Sequence, residues 1–251
     1  MSAGKKNAQR SGDAGGNRKL FCYEDLKRRI LTVELEPGSL IDETKISKAY
    51  GISRSPLREI LRQLSGEGFI VLQEHRGAIV APVTLKTFRG FFVAAPMIYA
   101  AVAQLAAQNA KPQQIELLKE EQQRFRNAIR VGDISERALS NERFHMIMGE
   151  MADNEFLMPS LRRLLIDHTR LGMNFFDPSQ SGLPDDRILA AADQHDEFIS
   201  LISAREAEKA AALSIAHWEL SRGDWGRFAA PRSLDISLNP GHPKQKTAAA
   251  E

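Results

Sequence analysis

The segment that most constrains the fold of this chain is residues 53–68, SRSPLREILRQLSGEG, which combines an apolar stripe with three arginines. Its apolar residues recur at i, i+3, i+4 and i+7, namely at Leu57, Ile60, Leu61 and Leu64. Because this spacing places the side chains on one side of an α-helix, the segment predicts a short amphipathic helix with one buried face.

Capping residues predict where this helix begins and ends. Ser55 can accept a hydrogen bond from an unpaired backbone N–H, and Pro56 fits the first helical position, where no N–H donor is needed. Gly66 and Gly68 favour termination. The sequence therefore predicts a helix that starts near Ser55 and ends by Gly68.

The three arginines allow two interpretations. Arg54, Arg58 and Arg62 lie beside the predicted apolar face, where cationic side chains could reach DNA phosphates and guanine edges. Arginines four residues apart are also common on the exposed faces of ordinary amphipathic helices. The segment alone does not decide between these interpretations.

The preceding residues favour DNA binding. Residues 42–51 predict a second short helix with Asp42 as its N-cap, Ile46 and Ala49 facing inward, and Gly51 in the left-handed conformation that ends a helix. A tight Gly-Ile-Ser turn joins the two helices, and this arrangement is typical of a helix-turn-helix.

The following residues predict a wing. Two apolar runs, residues 69–73 and 78–82, enclose a loop with His75, Arg76 and Gly77, so a β-hairpin is expected, and its tip could contact DNA. An apolar stripe also predicts a first helix over about residues 23–32. Together these elements predict a winged helix-turn-helix over residues 21–83.

The run from Ile30 to Val83 resembles the DNA-binding domain of the GntR family of bacterial transcription regulators, through its Pro-Gly turn, its Ser-Arg-x-Pro-x-Arg string and its Glu-Gly to Arg-Gly wing. The resemblance implies that Arg54 and Arg58 are the principal DNA contacts. Thr44 stands where many relatives carry arginine or another polar residue. The complete predicted DNA-binding set is Thr44, Ser53, Arg54, Ser55, Arg58, Arg62, His75, Arg76 and Gly77.

Composition excludes several classes of protein. The sequence contains no run of about 18 uninterrupted apolar residues, so a membrane span is not expected. Lys5, Lys6 and Arg10 are not followed by an apolar segment, so a secretory signal is not expected. The single cysteine, Cys22, excludes an internal disulfide and fits the reducing cytoplasm.

Charge and composition change at the ends of the chain. Residues 1–20 hold five basic residues and one acidic residue, which predicts a disordered basic tail, either inert or a DNA-binding arm. Residues 21–83 hold nine residues of each sign, so DNA affinity must come from locally placed arginines. Residues 230–251 are also predicted to be disordered.

Residues 84–229 predict an antiparallel all-helical bundle. Pro112, Gly132 and Asn154 are among the residues that separate the helices. Six helices are expected, over residues 88–109, 113–131, 134–151, 155–175, 186–203 and 206–222. The predicted fold class is therefore mainly α, a winged helix-turn-helix followed by a helical bundle.

Three histidines in the bundle have spacings that suit a shared site. His145 follows Asn141 by four residues, so both project from one helix face. His195 and His217 lie at equal distances from the predicted turn near residue 206, which places them at one height in an antiparallel pair. Three neutral imidazoles and one oxygen can bind zinc, nickel or a related metal. From spacing alone, separate, partly buried histidines are the favoured interpretation.

The strings at residues 141–156, 193–211 and 215–220 resemble the FCD effector domain of the FadR-type subgroup. The resemblance implies a divalent metal held by His145, His195 and His217, with Asn141 in the place of an aspartate, a change that weakens the site. Ala95 and Ile98 stand where relatives often carry an arginine and a glutamate, which argues against a simple organic-acid effector. The further pocket candidates are Arg163, His168 and Arg170.

These observations predict a homodimeric, cytoplasmic, metabolite-responsive transcription regulator, expected to act as a repressor on a pseudo-palindromic operator. Two alternatives remain open. The bundle could be a metal-free dimerisation module of a constitutive DNA-binding protein. The histidines could also serve a metal-dependent hydrolase, although Glu142, the neighbouring carboxylate, is expected to project away from the site.

Overall fold

The computed structural model describes residues 4–74, 77–175 and 185–222. The N-terminal part contains α1 (Gly4–Leu31), β1 (Leu40–Ile41), α2 (Glu43–Tyr50), α3 (Arg54–Glu67), β2 (Ile70–Gln73) and β3 (Gly77–Val80). The C-terminal part contains α4 (Leu85–Asn109), α5 (Pro112–Val131), α6 (Ile134–Ala152), α7 (Leu157–Phe175), α8 (Asp185–Ser203) and α9 (Ala207–Arg222). The predicted fold class is confirmed.

The helix-turn-helix forms where the sequence predicts it. Asp42 caps α2 by accepting hydrogen bonds from the backbone N–H groups of Thr44 and Lys45, at 3.0 and 2.9 Å. Gly51 ends α2 with a φ of 60°, in the left-handed region where glycine is favoured. The predicted apolar stripe on α3 faces the core, and its four residues are all buried, namely Leu57, Ile60, Leu61 and Leu64. The prediction that Ala49 faces inward is wrong, since it is exposed on the outer side of α2.

The ends of α3 differ from the prediction. Its N-cap is Ser53 rather than Ser55, which makes Pro56 the third helical residue instead of the first. This position still suits proline, because the first four N–H groups of a helix have no partner within the helix. Gly68, with a φ of 91°, ends the helix, whereas Gly66 lies inside it.

Helix α1 begins at Gly4, well before the predicted start near residue 23. Residues 4–20, predicted to be a disordered tail, are therefore helical. The predicted helix began only where the apolar stripe begins, and the tail was predicted from its basic, Gly- and Ser-containing composition. The predicted tail at 230–251 lies outside the described residues.

The wing belongs to a three-stranded antiparallel sheet of order β1-β3-β2. Ile70 pairs with Val80 and Leu72 with Ala78, which confirms the predicted hairpin. Strand β1 was not predicted, because two residues are too short to show an alternating pattern. The tip residues His75 and Arg76 lie outside the described residues.

The bundle helices match their predicted ranges to within a few residues. Helix α4 is central, with buried residues along its length and neighbours in α6, α7, α8 and α9. By length and composition alone α4 could cross a membrane, at a mean hydropathy of 1.7. Half of that stretch is buried within the structure, as in the core helix of a water-soluble domain.

Two separate cores form. One lies between α1, α2, α3 and the sheet, and the other lies inside the bundle. A residue of α7, Ile166, belongs to the first core although its helix belongs to the bundle. Helix α7 therefore joins the two parts of the molecule.

Candidate functional site

The first candidate surface is the outer face of α3. Arg54, Arg58 and Arg62 are all exposed there, opposite the buried stripe. None of the three forms a salt bridge with another described residue, so their guanidinium groups point into solvent. Thr44, Ser53, Ser55 and Gly77 are exposed as well. The seven described members of the predicted DNA-binding set are thus accessible.

Helix α1 contacts this surface. Lys19 forms a salt bridge of 2.6 Å with Glu59, which projects from α3 between Arg58 and Ile60. Both side chains are exposed, so the bond contributes little to stability, but it holds Lys19 of α1 beside the arginine face of α3.

The second candidate site is a cluster of three histidines inside the bundle. His145 on α6, His195 on α8 and His217 on α9 each offer a ring nitrogen, and these nitrogens lie within 4.8 Å of one another. The three side chains are 5%, 0% and 6% exposed. The spacing argument that placed His195 and His217 level with each other is confirmed, with ring centroids 4.9 Å apart.

Hydrogen bonds to glutamine fix how two of these rings are presented. His195 Nδ1 lies 3.1 Å from Gln122 Oε1, and His217 Nδ1 lies 2.9 Å from Gln194 Oε1. Since an amide oxygen only accepts, each Nδ1 carries the proton and each Nε2 keeps its lone pair. The amide of Gln122 is itself oriented by donating to Ala192 O at 2.7 Å. Such bonds from the far ring nitrogen are typical of metal-binding histidines.

Burial keeps the cluster neutral. It lowers the pKa of His217 to about 3, and it holds the pKa values of His145 and His195 well below 6.5. Neighbouring imidazoles, and Arg126 near His195, lower these values further. Unprotonated imidazole is the form that binds a metal ion. His145 Nε2 and His195 Nε2 are buried and have no hydrogen-bond partner among the described residues, so both nitrogens are available as metal ligands.

A small cavity of about 30 Å³ adjoins the cluster. Asn141 and His217 both line it, so the structure brings the predicted oxygen ligand beside the histidines. His168 lines it too and is hydrogen-bonded to the hydroxyl of Tyr99 at 2.8 Å. Burial lowers the pKa of His168 to about 4, so this ring is also neutral. Thr169 contributes a buried hydroxyl that has no hydrogen-bond partner within the described part of the chain.

Two predicted pocket residues do not reach this cavity. Arg170, only 1% exposed, donates to the backbone oxygen of Ala81 at 2.6 Å, and Arg163 lies against Gly68 and binds Asp167 at 2.7 Å. Both arginines therefore face the winged helix-turn-helix. Helix α7 is covered on two sides, and charge alone does not tell which side an arginine occupies.

The charged residue of the cavity that the sequence did not predict is Arg137. Arg137 on α6 lines it and is 7% exposed. It precedes Asn141 by four residues, as Asn141 precedes His145, so the three form one stripe along the helix. Extending that spacing by one further turn would have found it.

Comparisons with known proteins agree with this arrangement. The family described as "Bacterial regulatory proteins, gntR family" matches residues 19–80, and the FCD domain matches residues 95–220. The chain belongs to the GntR family and carries an FCD domain. It is thus a DNA-binding transcription regulator controlled by an effector, not an enzyme, and the hydrolase alternative is withdrawn.

Individual relatives share modest identity. YdhC of Bacillus subtilis, described as an uncharacterized HTH-type transcriptional regulator, is 28% identical over 140 residues, which span 55% of this chain and 62% of YdhC. The HTH-type transcriptional repressor RspR of Escherichia coli is 24% identical over 195 residues, 78% of this chain and 83% of RspR. The structure of E. coli McbR/YncC superposes with a TM-score of 0.68 at 16% identity, over 84% of this chain and 96% of McbR/YncC, and shows the same fold.

Proposed function

We propose that this regulator is a cytoplasmic homodimer, acting as a repressor, whose operator affinity changes when a small anionic molecule binds beside a divalent metal in the FCD domain. The observation that carries the proposal is the convergence of three neutral imidazoles whose ring nitrogens lie within 4.8 Å of one another. The Nε2 atoms of His145 and His195 are buried and have no hydrogen-bond partner among the described residues. Leaving buried polar atoms unpaired costs free energy, which a bound metal would recover.

In this proposal His145, His195 and His217 hold the metal, and the amide oxygen of Asn141 completes the set. The donors suit zinc or nickel. A bound divalent ion would supply a positive centre that attracts an oxygen of the effector. Gln122 and Gln194 would keep the Nε2 atoms of His195 and His217 available.

The charge of the site favours an anionic effector. Among the described residues the donor cluster consists of imidazoles alone, and Asn141 is neutral where an aspartate would carry a negative charge. Arg137 adds a buried positive charge to the same cavity. An anion that reaches both Arg137 and the metal would be stabilised by charge-assisted hydrogen bonds and by the positive charge of the metal.

This proposal revises the inference drawn from Ala95 and Ile98. Ala95 is fully buried and Ile98 partly buried in the bundle core, so α4 brings no charge to the site at these positions. Arg137 reaches the cavity from α6 instead. An organic acid or phosphate is therefore compatible with the site, and Thr169 could donate a further hydrogen bond to it.

DNA binding is assigned to the exposed face of α3. Arg54 and Arg58 would contact the major groove, with Arg62, Thr44, Ser53 and Ser55 near the phosphates and the wing residues His75, Arg76 and Gly77 beside them. One such surface reads half a site, so two copies would read a pseudo-palindrome. We place the DNA-binding domain at 21–83 and the effector and dimerisation domain at 84–229, in agreement with the two separate cores.

The first test is the metal content of untagged protein purified without chelators, measured by mass spectrometry. We expect about one zinc or nickel ion per chain in the wild-type protein. The His195→Ala variant should lose this ion. The control variant, His168→Gln, alters a cavity histidine outside the cluster and should retain it. A metal-free wild-type dimer that still binds DNA would overturn the metal site and favour a metal-free regulator.

The second test concerns the effector class. Zinc-loaded protein is screened by thermal shift against small carboxylates, inorganic phosphate and neutral amides of similar size. We expect anions to raise the unfolding temperature of the wild-type protein. The Arg137→Gln variant should lose this effect. The control variant, Arg130→Gln, alters an exposed arginine of α5 and should keep it. Stabilisation by neutral compounds only, or no effect of Arg137→Gln, would contradict an anionic effector.

A further inference from the structure

Helix α7 has two opposite faces that serve different parts of the protein. Residues at i, i+3, i+4 and i+7 contact or support the winged helix-turn-helix, and these are Arg163, Ile166, Asp167 and Arg170. The residues that line the effector cavity are His168, Thr169 and Gly172. At 3.6 residues per turn the two sets lie on roughly opposite sides of the helix. One rigid turn of α7 therefore touches both the cavity and the DNA-binding domain.

The contacts on the DNA-binding side are close and buried. Ile166 is 3% exposed and packs in the core of the winged domain. Arg170 donates from its guanidinium to Ala81 O at 2.6 Å. The side chain of Arg163 lies so near Gly68 that an added Cβ there would be 2.8 Å from Arg163 Cδ. Gly68 ends α3 and Ala81 follows β3, so both DNA-contacting elements end against α7.

A chain of backbone hydrogen bonds continues from this contact to α3. The N–H of Ala81 donates to Phe69 O at 2.9 Å, and the N–H of Phe69 donates to Leu64 O at 2.9 Å. Leu64 lies in the last turn of α3 and is fully buried. A shift of Arg170 would therefore be passed to the C-terminal end of the helix that carries Arg54 and Arg58.

Asp167 holds both arginines. It accepts from Arg163 at 2.7 Å and forms a buried ion pair with Arg170. Because a buried guanidinium requires a counter-charge, Asp167 determines where the Arg170 side chain can lie. His168, the next residue, is hydrogen-bonded to Tyr99 and lines the cavity. The counter-ion of the contact and a wall of the cavity are thus adjacent in the chain.

We propose that Arg170, positioned by Asp167, transmits the state of the effector cavity to α3 and the wing. A molecule that displaces His168 or Thr169 rotates or shifts α7 as a unit, and Arg170 carries the shift to Ala81. Arg170 is a positioning residue and contacts neither effector nor DNA. This proposal rests on the proposed function only in requiring that the cavity beside the histidines is the site that senses the effector.

The test is hydrogen exchange of the full-length dimer with and without zinc, followed by mass spectrometry. Wild type is compared with Arg170→Met, which removes the donor to Ala81. The matched control is Arg205→Met, because Arg205 also donates to backbone oxygens, those of Gln108 and Ala110, but inside the bundle. Zinc affinity is measured for each protein by calorimetry.

Zinc is expected to slow exchange at residues 66–82 by about fivefold or more in wild type and in Arg205→Met. In Arg170→Met zinc should still bind, but the change at 66–82 should disappear. If zinc binds wild type without affecting 66–82, or if Arg170→Met responds like wild type, Arg170 does not transmit the signal. Should Arg170→Met fail to fold, Asp167→Asn is used, and its response should be reduced.

Failure of the metal site is distinguishable from failure of this proposal. If wild type binds no zinc, the cavity is perturbed instead by Tyr99→Phe, which removes the hydrogen bond to His168. Exchange at 66–82 should then change in Tyr99→Phe, and adding Arg170→Met should abolish that difference. An equal difference in both backgrounds would overturn the role of Arg170 without reference to any metal.

Discussion

His195 donates its Nδ1 proton to Oε1 of Gln122 across 3.1 Å, a bond that joins α8 to α5 inside the bundle. The bond fixes the tautomer of His195 and leaves Nε2 unprotonated, buried and facing the other two histidines. Phe144 stacks on the same ring, with centroids 4.0 Å apart and planes 9° from parallel, and so fixes its tilt. The ring is therefore oriented before any metal binds.

Gln122→Leu should weaken metal binding. Leucine has a similar size but cannot accept the proton of His195 Nδ1, so the ring is free to turn or change tautomer. We expect zinc affinity, measured by competition with a chromophoric chelator, to fall about 10- to 100-fold. Gln123→Leu, at the exposed neighbouring position, should change it little. Equal affinities in the two variants would show that the hydrogen bond does not support a metal site.

The metal-free bundle should lose stability in mild acid. Burial lowers the pKa of His168 to about 4 and that of His217 to about 3, from 6.5. The unfolded chain binds these protons near pH 6.5 whereas the folded chain does not, so protons favour unfolding below that pH. The free energy of unfolding should be greatest above pH 6.5 and fall toward pH 4, by up to about 1.4 kcal/mol per pH unit for each group.

Urea unfolding followed by circular dichroism, with a chelator present, measures this dependence between pH 8 and pH 4. His168→Gln removes one titrating group and should make the slope shallower. A wild-type profile that is flat between pH 7 and pH 5 would contradict the burial of these imidazoles in solution.

Arg58→Ala should weaken specific DNA binding by about 1–3 kcal/mol, because an arginine on the outer face of α3 can bind a base edge through two hydrogen bonds. Fluorescence anisotropy with DNA selected by the protein from a random pool measures the loss. Arg130→Ala, which removes an exposed arginine of α5, should have no effect. An equal loss on unselected DNA would show that Arg58 contacts phosphates only.

Gly149→Ala should destabilise the bundle. Helices α6 and α7 approach so closely that a Cβ at Gly149 would lie 2.3 Å from Leu161 Cδ2, and relieving this overlap should cost about 1–3 kcal/mol. At Gly90, inside α4, no atom lies within 4 Å of the added Cβ. Gly90→Ala should therefore stabilise the protein by about 0.4–1 kcal/mol. Thermal unfolding of both variants and of the wild type measures these changes. A Gly149→Ala variant as stable as the wild type would contradict the close packing of α6 against α7.

The sequence by itself determined the bundle helices, the winged helix-turn-helix and the level placement of His195 and His217. The stripe from Leu57 to Leu64 predicted a buried face because helical periodicity is local. The equal distances of His195 and His217 from their turn predicted their contact because an antiparallel pair has simple geometry. These features depend on residues near one another in the chain, or on one short connection between two helices. Both can therefore be predicted from the sequence.

Only the tertiary structure decided how the arginines are used. Arg137 and Arg170 look alike in the sequence, yet Arg137 lines the cavity and Arg170 binds the backbone of the winged domain. Helix α7 is packed on both sides, so neither periodicity nor charge reveals which partner each face meets. Similarly, β1 exists because β3 lies beside it, not because two residues favour a strand. Such features depend on what a distant segment presents, and that is known only after the chain has folded.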